Sequence, residues 1–239
     1  MQLDMTTGRP MPIILRFLIP IFIGNMFQQF YNMVDSIIVG RYVGTEAFAA
    51  VGSTGTIMFL VLGFANGLST GFTVLTSQRF GAKDAYGVRR SVANAIILSV
   101  IVSVVVTAIS LVSMGSILHL MNTPANIYHY AYDYIIIITG GTGAVCFYNL
   151  FSALLRSVGN SKAPLFFLIL SATLNIFLDL LFIIGFRWEV KGAAIATIAS
   201  QAISAVLCVV YILTKVKMLV PHRNEWKLVP EYARKQLGV

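Results

Sequence analysis

The chain has 239 residues, of which 57% are hydrophobic and only 11% charged, with a formal net charge of +8. A soluble domain of this size carries about 25% charged residues. Too few polar side chains are therefore present to cover a water-facing surface, and a lipid bilayer is the expected solvent. The basic excess does not point to nucleic acid, because no Lys/Arg stripe carries interleaved aromatics; membrane proteins retain such residues in cytoplasmic loops.

The first apolar run, about 13–40, predicts a membrane helix. It is too long for a cleavable signal peptide and lacks a small-residue cleavage site. Pro20, in FLIPIF, interrupts the backbone ladder and acts either as a fixed kink or as a hinge. Asn25, Gln28, Gln29, Asn32, Asp35 and Ser36 fall within an arc of about 120° at 100° per residue. The second run, about 52–78, carries Asn66, Ser69, Thr70, Thr73 and Ser77. The third and fourth cover about 90–116 and 128–155. Asp133, near the outer end of the fourth, is expected at the interface.

The fifth run, about 163–186, contains NIFLDLLF. There Ser171, Asn175 and Asp179 recur at i, i+4 and i+8 on one face. A carboxylate so placed costs several kcal/mol unless something compensates. The sixth run, about 191–214, presents Thr197, Ser200, Gln201 and Ser204 along one stripe. A lone Ser or Thr in such a helix is usually packing glue; a stripe of amides and a carboxylate wants water or polar company. Cys146 and Cys208 lack metal-ligand spacing and read as small packing residues. His119, His129 and His222 also have no ligand-like spacing.

Turn residues separate the runs: Gly40 and Gly44, Gly81 to Gly87, Asn122-Thr123-Pro124, Gly159-Asn160-Ser161, and Gly185 to Gly192. Backbone groups in lipid need internal partners, and runs this long without alternation favour helices over a barrel. The fold class is thus an all-α integral membrane protein, with residues 1–217 forming one lobe of six transmembrane helices. Beyond Met218 the tail contains Pro221, Glu225, Trp226, Pro230 and Glu231 and cannot span. Residues 218–239 read as a cytoplasmic or interfacial linker with a short amphipathic helix near 228–237.

Fourteen of the 17 Lys and Arg residues fall on one side of this topology; Arg41, Arg187 and Lys191 fall on the other. The first group includes Arg9, Lys83, Arg89, Lys162 and Lys227. The positive-inside rule then puts both termini in the cytoplasm, in the plasma (inner) membrane. Measured from the outer helix ends at 1.5 Å per residue, Asp35 lies about 7 Å deep and Asp179 and Thr197 about 9 Å, with Asn175 one turn deeper. Two carboxylates, an amide and a hydroxyl at similar depth suit Na⁺; two close carboxylates alternatively hold a proton. Asp35 alternatively pairs with Arg41 at the interface.

At this point the residues resemble a known family. VDSIIVGRYVGTEAFAAVG (34–52), QRFGAKDAYGVRRSVANA (78–95), LLRSVGNSKAPL (154–165), NIFLDLLF (175–182) and KGAAIATIASQ (191–201) resemble, in order, the N-terminal half of multidrug and toxic compound extrusion (MATE) transporters. The resemblance implies two six-helix lobes and export of amphipathic, cationic compounds in exchange for H⁺ or Na⁺. It implies no enzymatic activity, no catalytic residues and no other cofactor. In the DinF-like branch it implies a cation site at Asp35, Asn175, Asp179 and Thr197, a cavity lined by Gln28, Asn32, Ser171 and Gln201, and a bend at Pro20. Only one lobe is present, so a missing C-terminal half or a partner chain is expected to supply the second.

Three other readings compete. A lipid-linked oligosaccharide flippase of the same superfamily would line its cavity with arginines, yet no Lys or Arg lies deep in a span. An intramembrane aspartyl protease uses two helix aspartates, but its Tyr-Asp and Gly-x-Gly-Asp motifs are replaced here by Val34-Asp35 and Leu178-Asp179. A non-transporting membrane assembly partner is the third.

Overall fold

The computed structural model describes residues 10–226 and 228–238. Arg9 and Lys227, both used in the charge count above, lie outside these. The described residues form nine α-helices, a π-helical turn and two short 3-10 turns, with no strand among them. The helices are α1 (Pro10–Tyr42), α2 (Thr45–Gly71), α3 (Val74–Gly81), α4 (Ala85–Leu120), α5 (Ala125–Gly140), α6 (Thr142–Ser157), α7 (Lys162–Asp179), α8 (Glu189–Lys215) and α9 (Pro230–Leu237).

These helices recover the six predicted runs with two corrections. The second run begins at Thr45, not near 52, and breaks at Phe72 and Thr73 into α2 and α3. Gly44 sets its start, at a φ of 131° that a side chain would strain. The fourth run is two helices, bent by 48° at Gly141. A Cβ at Gly141 would overlap the Ile198 side chain, so close approach to α8 selects glycine at the break. By length and apolarity four described helices qualify as membrane spans, or five with the bent pair as one. α1 has 33 residues, about 50 Å at 1.5 Å per residue, and carries the amide stripe that dilutes its hydropathy.

α8 is the central packing element and lies against α5, α6 and α7, while α1 packs on α2 and α7. Two clusters of buried side chains fill one end of the bundle. One joins Val39, Ala47, Tyr134, Ile138 and Ala193; the other joins Ala50, Ile57, Met114 and Ile135. The opposite end is built on Phe72, Leu150, Leu154, Cys208 and Leu219. Phe59, Leu60, Phe64, Ile109 and Val112 point outward, as lipid or a second lobe requires.

Polar contacts tie each end. Asp84 caps α4 by accepting from the Gly87 amide at 2.8 Å, and pairs with Arg79 at 3.1 Å. Asp133 meets Lys191 at 3.2 Å and His129 at 3.1 Å, joining α5 to the start of α8. The tail is docked on the lobe rather than loosely attached. Gln236 donates to the carbonyls of Phe72 (2.9 Å) and Ser91 (3.0 Å). Val229 N–H donates to Asn94 Oδ1 at 2.9 Å, and Glu225 receives Arg89 Nε at 3.0 Å. The expected short helix near 228–237 is α9.

Candidate cation site

Asp35 stands on α1, three residues before the buried pair Ile38 and Val39 that pins the end of that helix. Asp179 is the last residue of α7, where the chain widens into the π-helical turn Leu180–Gly185. Such turns leave backbone geometry irregular and are frequent at functional positions. Asp35 is 7% exposed and Asp179 fully buried. Their carboxyl groups lie within hydrogen-bonding reach of each other. Arg41 is exposed and forms no ion pair with Asp35. The interfacial pairing weighed from sequence is absent among the described residues.

Asn175 lies one turn before Asp179 on the same face, and its Nδ2 donates to Thr197 Oγ1 of α8 at 3.3 Å. The buried oxygens Asp35 Oδ1, Asn175 Oδ1, both Asp179 Oδ atoms and Gln201 Oε1 receive no hydrogen bond. Buried acceptors are normally satisfied, and two ionised carboxylates facing each other have no hydrogen between them. The group therefore has two physical resolutions: one proton shared between the aspartates, or a cation seated among the oxygens.

Of the four predicted ligands, Asp35 of α1 is thus brought to Asp179 of α7, and Asn175 of α7 to Thr197 of α8. The four residues assigned to the cavity divide. Gln28 and Asn32 are exposed on α1, whereas Ser171 and Gln201 are buried inside the lobe. Pro20 lines a cavity of about 60 Å³ between α1, α6 and α7, and α1 remains helical through it.

Two residues at the site were missed from sequence. Tyr31, one turn before Asp35, lies beside Gln28 and Gln201 and interacts electrostatically with both aspartates. Its i, i+4 spacing to Asp35 was a readable signal. Tyr134 of α5 is buried and also interacts with both aspartates; it sits in the tyrosine-rich stretch YHYAYDY, where nothing marks it out. No cluster of three or more His, Cys, Asp or Glu occurs among the described residues. The donors are hard oxygens of the kind suited to H⁺ or an alkali cation rather than a transition metal.

With this geometry in place, comparison with known proteins is informative. The MatE family model matches residues 20–181, a stretch containing both aspartates. A probable multidrug resistance protein of Bacillus subtilis, YoeA, is 30% identical over 82% of this chain and 43% of its own length. A second from the same organism, YpnP, is 30% identical over 94% of this chain and 51% of its own. Among solved structures, the outward-facing conformation of a multidrug resistance MATE family transporter of the MOP superfamily superposes with a TM-score of 0.90. It is 28% identical and covers 98% of this chain and 52% of that one. The chain thus spans about half the length of the curated relatives it matches. Its helices, their order and the residues just described place it in one family: this chain belongs to the MATE transporters, as a single lobe of that fold.

Proposed function

We propose that this lobe is the N-terminal half of a cation-coupled multidrug efflux antiporter, which exports small amphipathic, cationic compounds across the plasma membrane. Both of its termini lie in the cytoplasm, and a second six-helix lobe completes the transport path. Asp35, Asn175, Asp179 and Thr197 hold H⁺ or Na⁺, with Asp179 as the principal carrier. Residues 218–239 lead toward the second lobe.

The observation that carries this reading is the buried pair Asp35–Asp179, where neither oxygen of Asp179 has a donor. Leaving two charges there without a counter-ion costs several kcal/mol. Occupancy by H⁺ or Na⁺ removes that cost and releases α1 to repack against α7 and α8. A ligand that favours one packing over another shifts the equilibrium between them, which is the coupling an antiporter needs. The relatives' names, probable multidrug resistance proteins, support the substrate class.

The test is flux of a fluorescent organic cation in proteoliposomes containing the full-length protein, driven separately by a pH gradient and by a Na⁺ gradient. One gradient is expected to drive export, and Asp179→Asn is expected to abolish it while insertion stays normal. Undiminished gradient-driven export in Asp179→Asn would sink the assignment.

A further inference from the structure

A second polar site lies away from the aspartates, in the cavity of about 60 Å³ between α1, α6 and α7. Its wall holds Arg156, Asn25, Ser152 and Ser161, and no Asp or Glu. Gln28, the lining residue of α1 nearest the aspartates, is seven residues from Asp35, about 10 Å along the axis.

Arg156 is partly buried and forms no ion pair among the described residues. It is therefore a guanidinium facing a small polar space without a counter-charge. A buried cation so placed wants an anion, and the planar fork of donors suits a halide or a carboxylate. A second feature points the same way. Ser152 Oγ is buried in this wall and has no hydrogen-bond partner, so its hydroxyl is available to donate to an anion. Ser152, 2% exposed, and Ser161, 8% exposed, add hydroxyls to the wall. The volume fits one ion of chloride size or a single carboxylate, not a larger organic group.

We propose that this cavity binds a small monoanion, with Arg156 as the principal ligand and the Ser152 hydroxyl as the second. None of the four proposed cation ligands lines the cavity, so its anion is a separate occupant. An anion here neutralises Arg156 while α1 moves past it, so the packing of α1 near Pro20 depends on anion occupancy as well as on the aspartates.

Two measurements on the purified chain test this. Thermal unfolding is followed in chloride, bromide and acetate against gluconate at matched ionic strength. A saturable rise in Tm is expected with the small anions; it is lost in Arg156→Gln and weakened in Arg156→Lys. In parallel, crystals of the unaltered chain grown in bromide are expected to give an anomalous peak within hydrogen-bonding reach of the Arg156 guanidinium. This second arm does not depend on any variant folding. No anion-specific rise in Tm, or the same rise in Arg156→Gln, overturns the proposal. So does a bromide derivative with no peak in the cavity, which leaves Arg156 as a helix C-terminal cation only.

Discussion

Asp35 of α1 and Asp179 of α7 approach each other carboxyl to carboxyl in the interior of the lobe, where both oxygens of Asp179 lack a donor. This contact becomes a hydrogen bond only when one of the two holds a proton. An asparagine at either position would supply the missing donor permanently. Asp179→Asn and Asp35→Asn are therefore expected to leave fold stability unchanged or raise it by about 1 kcal/mol, the net worth of one hydrogen bond. The dependence of Tm on pH or Na⁺ should flatten at the same time. Thermal unfolding across pH and Na⁺ series measures both, and a steep loss of stability in either variant would mean that the aspartates are structural.

Thr197 holds Asn175 through the 3.3 Å bond to its hydroxyl. Thr197→Val keeps the shape and removes the acceptor, so it is expected to cost about 1 kcal/mol of stability. The larger consequence is positional: with Nδ2 released, the Asn175 amide is free to turn its oxygen from the aspartates. Cation affinity should fall in Thr197→Val and recover in Thr197→Ser, which restores the hydroxyl. Equal affinity in both variants would remove Thr197 from the site.

The clustering of the proposed cation ligands was legible because period and depth are simple in a membrane helix. The i, i+4 spacing of Asn175 and Asp179, with 1.5 Å per residue, put those residues and Asp35 at one level before any contact was known. Tyr134 was not legible, because its place beside Val39 and Ala193 is a matter of long-range packing and not of its own local sequence. The bend at Gly141, and the break at Phe72, are invisible to hydropathy: apolarity continues through both, and what interrupts them is packing against Ile198 in the first case and a tail residue, Gln236, in the second. The docking of the tail is likewise a long-range fact. Nothing around Gln236 announces carbonyl partners on α3's approach and α4.

Membrane orientation follows from charge asymmetry and is open to direct labelling. Thr45, Asn122 and Glu189 are exposed at the end of the lobe where α2 and α8 start and α4 stops, and Lys83 is exposed at the other end. Single cysteines at the first three positions are expected to react with an impermeant maleimide on intact cells, and one at position 83 only after lysis. The Cys146→Ala and Cys208→Ala background is suitable, since both thiols are buried. Labelling of position 83 on intact cells with protection of 122 would invert the topology.

The docked tail should loosen in acid. Burial works to raise the Glu225 carboxyl, but the His222 amide at 2.6 Å and the Arg89 guanidinium outweigh it and hold it below its ordinary value of 4.5. A depressed carboxylate contributes stability that is present above its unfolded value and lost as pH falls through the folded one. Tail docking is thus expected to be constant from neutral pH down to about 4.5 and to weaken below it. With Trp188→Phe, Trp226 is the remaining tryptophan of the two, and its fluorescence reports the change. Glu225→Gln should remove the acid transition. Gln236→Leu, which abandons the two carbonyls, should cost about 2 kcal/mol without altering it.

Pro20 offers the most specific test of how the lobe moves. α1 stays helical through it, although proline removes one backbone donor and crowds the preceding turn. The residue borders the cavity beside α6 and α7, and so do Ile21, Gly24, Asn25 and Gln28, so the part of α1 after it has space to lean into. Pro20→Ala restores the donor and a better helix former, a change of about 3 kcal/mol in intrinsic preference, and is expected to stiffen α1. No cation ligand is removed, so cation affinity should stay within about fivefold, equivalent to about 1 kcal/mol. Transport by the full-length protein should fall further than that, because the bend and not the binding is impaired. Spin labels placed near the two ends of α1 should show a distance that changes with pH or Na⁺ in the unaltered protein and not in Pro20→Ala. An invariant distance in both would make Pro20 a fixed kink that serves packing, and coupling would then have to run through α7, whose π-helical turn directly follows Asp179.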